Sequence, residues 1–251
     1  MARVSGFLPV EIAVQDAAGV RIALSGGAAR VELCQALGLG GLTPSAGSIE
    51  AAAALATEAS VTGFVHVLVR PRGGGFVYDR DEVEATVRDI RLARSLGADG
   101  VVVGALTDAG ALDLDAIAAF LDAADGLDVT VHRAVDAATD PLAAVAALAG
   151  TGVRRVLTSG GAADCRAGLP TLARMVSEAG GAVEVMAGGG VGVDDIGALA
   201  AVGVDAVHLS ARRRDGRGGP SGPGGGEIGF DATDAELVRA AVAAAQSAVR
   251  A

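Results

Sequence analysis

The residues best suited to chemistry cluster between His66 and Tyr78, in the stretch HVLVRPRGGGFVY. Side chains alternate along an extended strand, so His66, Leu68 and Arg70 share one side while Val65, Val67 and Val69 take the other. Pro71 breaks the strand, and the three glycines that follow Arg72 let backbone approach a ligand closely. An imidazole beneath two guanidiniums suits a small anion such as a carboxylate or phosphate, because each guanidinium presents a fork of paired donors. Arg70 shares the strand face of His66. For Arg72 a solvated place on a tight loop is the plain alternative.

Other ionisable groups recur in a weak internal repeat. GAARVELC from Gly27, GADGVVVG from Gly97, GVRRVLTS from Gly152 and GVDAVHLS from Gly203 each follow a helix-like run and enter a strand-like one. Positions four and six of this template are nearly all apolar and suit a face packed on helices. Positions five and seven hold Glu32 and Cys34, Val102 and Gly104, Leu157 and Ser159, His208 and Ser210, and suit an inner face. The remaining strands alternate in the same way, which turns Glu11, Thr130, His132, Glu184 and Met186 inward. All three histidines, His66, His132 and His208, then share one interior with Glu11, Glu32 and Arg70. Unpaired buried ions cost several kcal/mol each, so these groups must pair or face a water-filled cavity. A carboxylate and an imidazole so placed can act as general base and acid. Glu32 or Glu11 is the candidate base and His132 the acid or orienter. Arg70 and Arg72 form the anion clamp. Gly189, Gly190 and Ser210 offer a phosphate cradle, with a nest of backbone N–H groups at Ser159. Glu184 sits low on its strand and suits a structural ion pair.

Such groups need strands of one sheet to hold them. Strand-like runs at about 8–14, 29–34, 64–70, 99–104, 128–133, 154–159, 183–187 and 205–210 alternate with helix-like ones, the last helix at about 231–250. Eight βα units in 251 residues predict one (β/α)8 TIM barrel spanning the chain, with its site at the C-terminal ends of the strands. The loop from Cys34 to Gly47 is long for a βα connection, and such loops often carry function. Residues 212–226, RRRDGRGGPSGPGGG, read as a flexible low-complexity insertion before the last helix.

Composition narrows the partners. A net charge of −10 argues against nucleic acid or an anionic membrane as the main partner, even with the arginine run at 212–214. The amino terminus lacks the features of a signal peptide, and no apolar run is long enough to span a bilayer, so a cytoplasmic protein is expected. The two cysteines, Cys34 and Cys165, form no CxxC pair and predict neither a zinc site nor a disulfide framework.

Several segments together resemble the CutC family. They are RVELC at 30–34, GGLTPSAG at 40–47, RPRGG at 70–74 with Phe76 and Tyr78, LGADGVVVGAL at 96–106, VHRAVD at 131–136, LTSGGA at 157–162, GGG at 188–190 and VHLSAR at 207–212. Gly75 stands where the family usually has an acidic residue, Ala187 where it has proline and Val135 where it has phenylalanine. The resemblance implies a cytoplasmic TIM barrel, commonly a homodimer, with a role in copper homeostasis. Copper would then be the bound ion, with Cys34 as its soft ligand, joined by His66 or His208. The residues read by themselves point instead to an enzyme acting on a small anionic or phosphorylated metabolite.

Overall fold

The structure, a computed structural model, describes residues 7–216 and 229–248. Eight parallel strands close into a barrel in chain order: β1 (Val10–Val14), β2 (Arg30–Leu33), β3 (Val65–Leu68), β4 (Gly100–Val103), β5 (Asp128–Val131), β6 (Arg155–Thr158), β7 (Glu184–Gly188) and β8 (Ala206–Leu209). Around it run α1 (Ala17–Gly26), α2 (Ala46–Glu58), α3 (Arg80–Ser95), α4 (Leu114–Ala124), α5 (Pro141–Ala147), α6 (Cys165–Ala179), α7 (Ile196–Ala201) and α8 (Ala235–Ala248). This is the (β/α)8 TIM barrel that the alternation predicts.

Local signals set the elements. Asp16, Ser45, Asp79, Asp113, Asp140 and Asp164 each accept a backbone N–H of the first helical turn, filling donors that a helix start leaves open. The main core lies between strands and helices. Val31, Leu33, Val101, Val103, Val156 and Val207, all from the apolar template positions, are fully buried there. The strand interior holds only two small apolar groups, Cys34 with Leu68 and Val102, and Leu157 with Met186 and Ala206. Ionic side chains fill much of the rest.

Two expectations about the C-terminal region change. The expected insertion at 212–226 begins with a strand: β9 (Arg212–Asp215) pairs antiparallel with β10 (Phe230–Thr233). The arginines of β9 lie opposite acids, Arg212 on Asp231 at 2.8 Å and Arg213 on Asp234 at 3.0 Å. Residues 217–226 of that expectation lie outside the described residues. The last helix begins at Ala235 rather than 231, because 230–233 is needed for the hairpin and Asp234 accepts the N–H groups of Glu236 and Leu237.

Candidate functional site

The inward parity of Glu11, Glu32 and His208 brings all three into one cluster. Register places Glu11 beside Arg30 on β2 and beside His208 on β8. Glu11 is fully buried. Its Oε2 takes the Arg30 Nε–H at 2.5 Å and its Oε1 takes the His208 Nδ1–H at 2.8 Å. Burial alone would raise the Glu11 carboxyl, but the Arg30 guanidinium and the His208 hydrogen bond hold it well below the usual carboxylate range. Glu11 is therefore a fixed anion that orients the imidazole.

The other face of that imidazole looks at Glu32, with Nε2 3.7 Å from Oε2. Burial, aided by the charge of Glu11, pushes the Glu32 carboxyl up to about 7 despite the pull of His208. For His208 burial works downward, yet the Glu11 hydrogen bond and the Glu32 charge carry its affinity for a proton above the ordinary value. Glu32 and His208 keep 8% and 13% of their side-chain surface open, whereas Glu11 keeps none. The two groups that keep some open surface are thus a carboxyl raised to about 7 and an imidazole whose proton affinity is also raised.

His66 lies next to this cluster, fully inside, and burial lowers it to about 4, so it is neutral. Further round the barrel, Arg155 bonds Thr130 Oγ1 at 3.1 Å and Glu184 Oε2 at 2.8 Å, and Arg154 takes the other Glu184 oxygen. Glu184 is the structural ion pair expected of it. Arg30 and Arg155 were not among the expected site residues. Both occupy the third template position after Gly27 and Gly152, and extending the inward parity two residues back from Glu32 and Leu157 finds them.

The second group of residues lies where β3 and β5 end. β3 stops at Leu68, and the Arg70 N–H is taken by Thr43 Oγ1 at 3.0 Å. The Arg70 guanidinium donates to the carbonyls of Leu39, Gly41 and Gly74 and lies 4.9 Å from the Phe76 ring centroid. It ties two loops together instead of standing free as a clamp. Arg72 is engaged too: it pairs with Glu82 and bonds the carbonyls of Gly73, Gly75 and Val77. The clamp expected of the two arginines is therefore replaced by internal pairing, with the Glu82 carboxylate and loop carbonyls taking the guanidinium donors.

His132 packs 5.0 Å from Phe76 at an interplanar angle of 46°, and its Nδ1 accepts the Ala134 N–H at 3.1 Å. A Cβ on Gly104 would lie 2.6 Å from the imidazole, so only glycine leaves room for this ring. Burial, with Arg70 nearby, drops His132 to about 3. Of the two roles expected of His132, acid or orienter, an imidazole so hard to protonate suits the orienter.

The nest after β6 is filled from within. Asp136, from the turn after β5, accepts the Ser159 and Gly161 N–H groups at 3.0 Å, the Thr158 hydroxyl at 2.5 Å and the Ser159 hydroxyl at 3.0 Å. Arg133 pairs with the same carboxylate at 2.8 Å and donates to Ser159 Oγ. The anion of this nest is a side chain of the protein, so Ser159 does not offer the free cradle expected of it. Arg133 also lies over Gly189, whose φ of +115° and lack of a Cβ admit the guanidinium. Gly190 backs onto Asp164, and Ser210 lines a shallow dip with Gln15, Arg212 and Thr233. Gly189, Gly190 and Ser210 thus each meet different neighbours.

The donors do not fit copper. Cys34 Sγ donates weakly to the Val14 carbonyl at 3.7 Å among Leu68, Val102 and Leu37, and burial beside Glu32 pushes the thiol far up. Cys165, pushed up to about 12, bonds the Thr158 carbonyl elsewhere. Among the described residues no three His, Cys, Asp or Glu side chains converge as a metal set. Among them, too, no helix is long and apolar enough to cross a membrane.

Comparison with known proteins agrees with the motifs. A model of the CutC family matches residues 8–213. A relative named family protein CutC from Bacteroides thetaiotaomicron is 41% identical over 203 residues, 80% of each chain. Another, from Agrobacterium fabrum, is 44% identical over 190 residues, 76% of this chain and 73% of its own. The solved CutC of Streptococcus agalactiae, provisionally named for copper homeostasis, is 30% identical with a TM-score of 0.76 over 81% of this chain and 98% of its own. A thiamine phosphate pyrophosphorylase from Pyrococcus furiosus, at 16% identity and a TM-score of 0.61, shares the fold alone. With the family match running from β1 into β9 and relatives at this identity across most of its length, the chain belongs to the CutC family.

Proposed function

We propose that this protein is an acid–base enzyme acting on a small polar metabolite inside the barrel. Glu32 moves the proton, His208 shares it, and Glu11 with Arg30 fixes the imidazole. The observation that carries this reading is a reachable carboxyl raised to about 7 and facing an oriented imidazole, the arrangement general acid–base catalysis needs near neutral pH. A structural ion pair gains nothing from such a shift. The phosphorylated substrate expected from the sequence is less well supported, because Asp136 fills the nest and Arg72 is paired with Glu82.

The test is turnover of a panel of small hydroxy, oxo and amino acids and sugars in D₂O, followed by proton NMR. Wild type should exchange or convert at least one compound, and Glu32→Gln should slow it by about 10²-fold or more, the contribution of a well-placed acid or base. Equal rates in both proteins would remove Glu32 from the reaction.

Copper handling, expected from the family resemblance, is the second reading, and the relative's name is what favours it. Equilibrium dialysis with Cu(I) on wild type and Cys34→Ala decides it: tight binding lost in the variant would restore Cys34 as a ligand. Cytoplasmic placement and self-association belong to this proposal as the sequence implies them.

A further inference from the structure

Two buried donors at the ends of β3 and β5 are left without a partner: Arg70 Nε and His132 Nε2. Both side chains are more than nine-tenths buried, Arg70 at 6% and His132 at 5% exposure. Buried side-chain donors are nearly always satisfied, and each orphan costs about 1–3 kcal/mol. The pattern of bonds around them is selective. Arg70 engages both terminal nitrogens with the carbonyls of Leu39, Gly41 and Gly74, while its Nε–H has no partner. His132 spends Nδ1 on the Ala134 N–H, which fixes its proton on Nε2. Both groups pack against the same ring, with Phe76 lying 4.9 Å from the Arg70 guanidinium and 5.0 Å from the His132 imidazole.

We propose that Arg70 Nε and His132 Nε2 form a donor pair that binds one sp² oxygen of the ligand, a carbonyl or a carboxylate. The inference rests on the reading of the barrel interior as a ligand site and adds the chemical class of ligand. Two N–H groups beside one ring suit a planar oxygen, whereas a phosphate dianion brings three oxygens and asks for more donors than this pair holds. The low proton affinity of His132 agrees, because a neutral imidazole donates without being consumed as an acid, as a carbonyl-polarising histidine does. Gly104 belongs to the device, since any side chain there would push the ring off its place.

Four probes test it: pyruvate, acetate, dihydroxyacetone and inorganic phosphate, each titrated at constant ionic strength. The readout is the ¹⁵N signal of the His132 imidazole. Pyruvate should shift Nε2 saturably while the ring stays neutral between about pH 5 and 8. Acetate and dihydroxyacetone then tell whether the carboxylate or the carbonyl is the oxygen bound. His132→Phe should weaken pyruvate at least 10-fold, and His132→Gln, which keeps an amide donor, should recover most of it. A ring that no oxygen probe perturbs, one that phosphate perturbs best, or one that gains a proton on binding would overturn the proposal. Arg70→Lys carries a risk of unfolding through the loop carbonyls, so its result counts only when its circular dichroism matches wild type. The titration is repeated in Glu32→Gln. A His132 response without turnover in wild type would sink the proposed catalysis and leave this pair standing, while turnover with a silent His132 would do the reverse.

Discussion

Replacing Glu32 by glutamine should make the protein more stable relative to wild type as pH rises. The native carboxyl titrates near 7 against an ordinary value of 4.5, so across that window the native chain holds a proton that the unfolded chain has released. Stability from this group is therefore intact below the unfolded value and is lost as pH climbs through the native one. Worked through both titrations, the loss between about pH 5 and pH 8 comes to roughly 2–3 kcal/mol, taking about 1.36 kcal/mol per unit. Glutamine keeps the shape, carries no charge and escapes the loss. The groups facing Glu32 set the background. Glu11 stays ionised throughout, and His208, raised by the same contacts, loses stability in the same direction. His66, lowered to about 4, gains stability as pH rises to its ordinary value near 6.5, and its contribution cancels in the difference. Urea denaturation of both proteins at four values from about pH 5 to pH 8 measures that difference. Parallel curves, with a gap constant to about 0.5 kcal/mol, would mean that Glu32 ionises like any surface acid, and the acid–base reading would lose its main support.

Three further outcomes follow from the same geometry. Gly104→Ala places a methyl 2.6 Å from the His132 ring and should cost about 1–3 kcal/mol in urea denaturation, with loss of any pyruvate response at the imidazole. Asp136→Asn puts an amide against the N–H groups of Ser159 and Gly161 and should destabilise by about 3 kcal/mol; a melt unchanged from wild type would show that the nest does not need its carboxylate. Arg72→Gln should leave probe affinity within about twofold, the scatter expected for a side chain that touches no ligand, while a clamp residue would lose tenfold or more, about 1.4 kcal/mol.

The barrel itself was legible because strand parity and the glycine template are local signals, and one of them, the apolar pair at positions four and six, is what packs on the helices. Glu11, Glu32 and His208 were legible for the same reason. Their ranking was not: which carboxyl stays ionised depends on Arg30, a neighbour 19 residues away whose inward place needs the template carried one step further. The nest was misread because its occupant, Asp136, is 23 residues from Ser159 and joins it only when β5 and β6 align. Arg72 was read as a clamp for the same kind of reason, since Glu82 reaches it only through a helix start. Alternation tells which way a charge points, and it does not tell which opposite charge will be waiting.

The ionic filling of the barrel also bears on heat capacity. A barrel packed with Val, Ile and Leu layers exposes apolar surface when it unfolds, at about +0.45 cal/K/mol per Å², whereas polar surface contributes about −0.26. Glu11, Arg30, His66, Thr130, Arg155 and Glu32 are all buried within these strands. Unfolding therefore hydrates ions from the centre of the molecule as well as hydrocarbon from its outer layer, and the two effects oppose each other. The stability curve of this chain should be correspondingly flat, holding its maximum over a wider range of temperature than an apolar barrel of equal length.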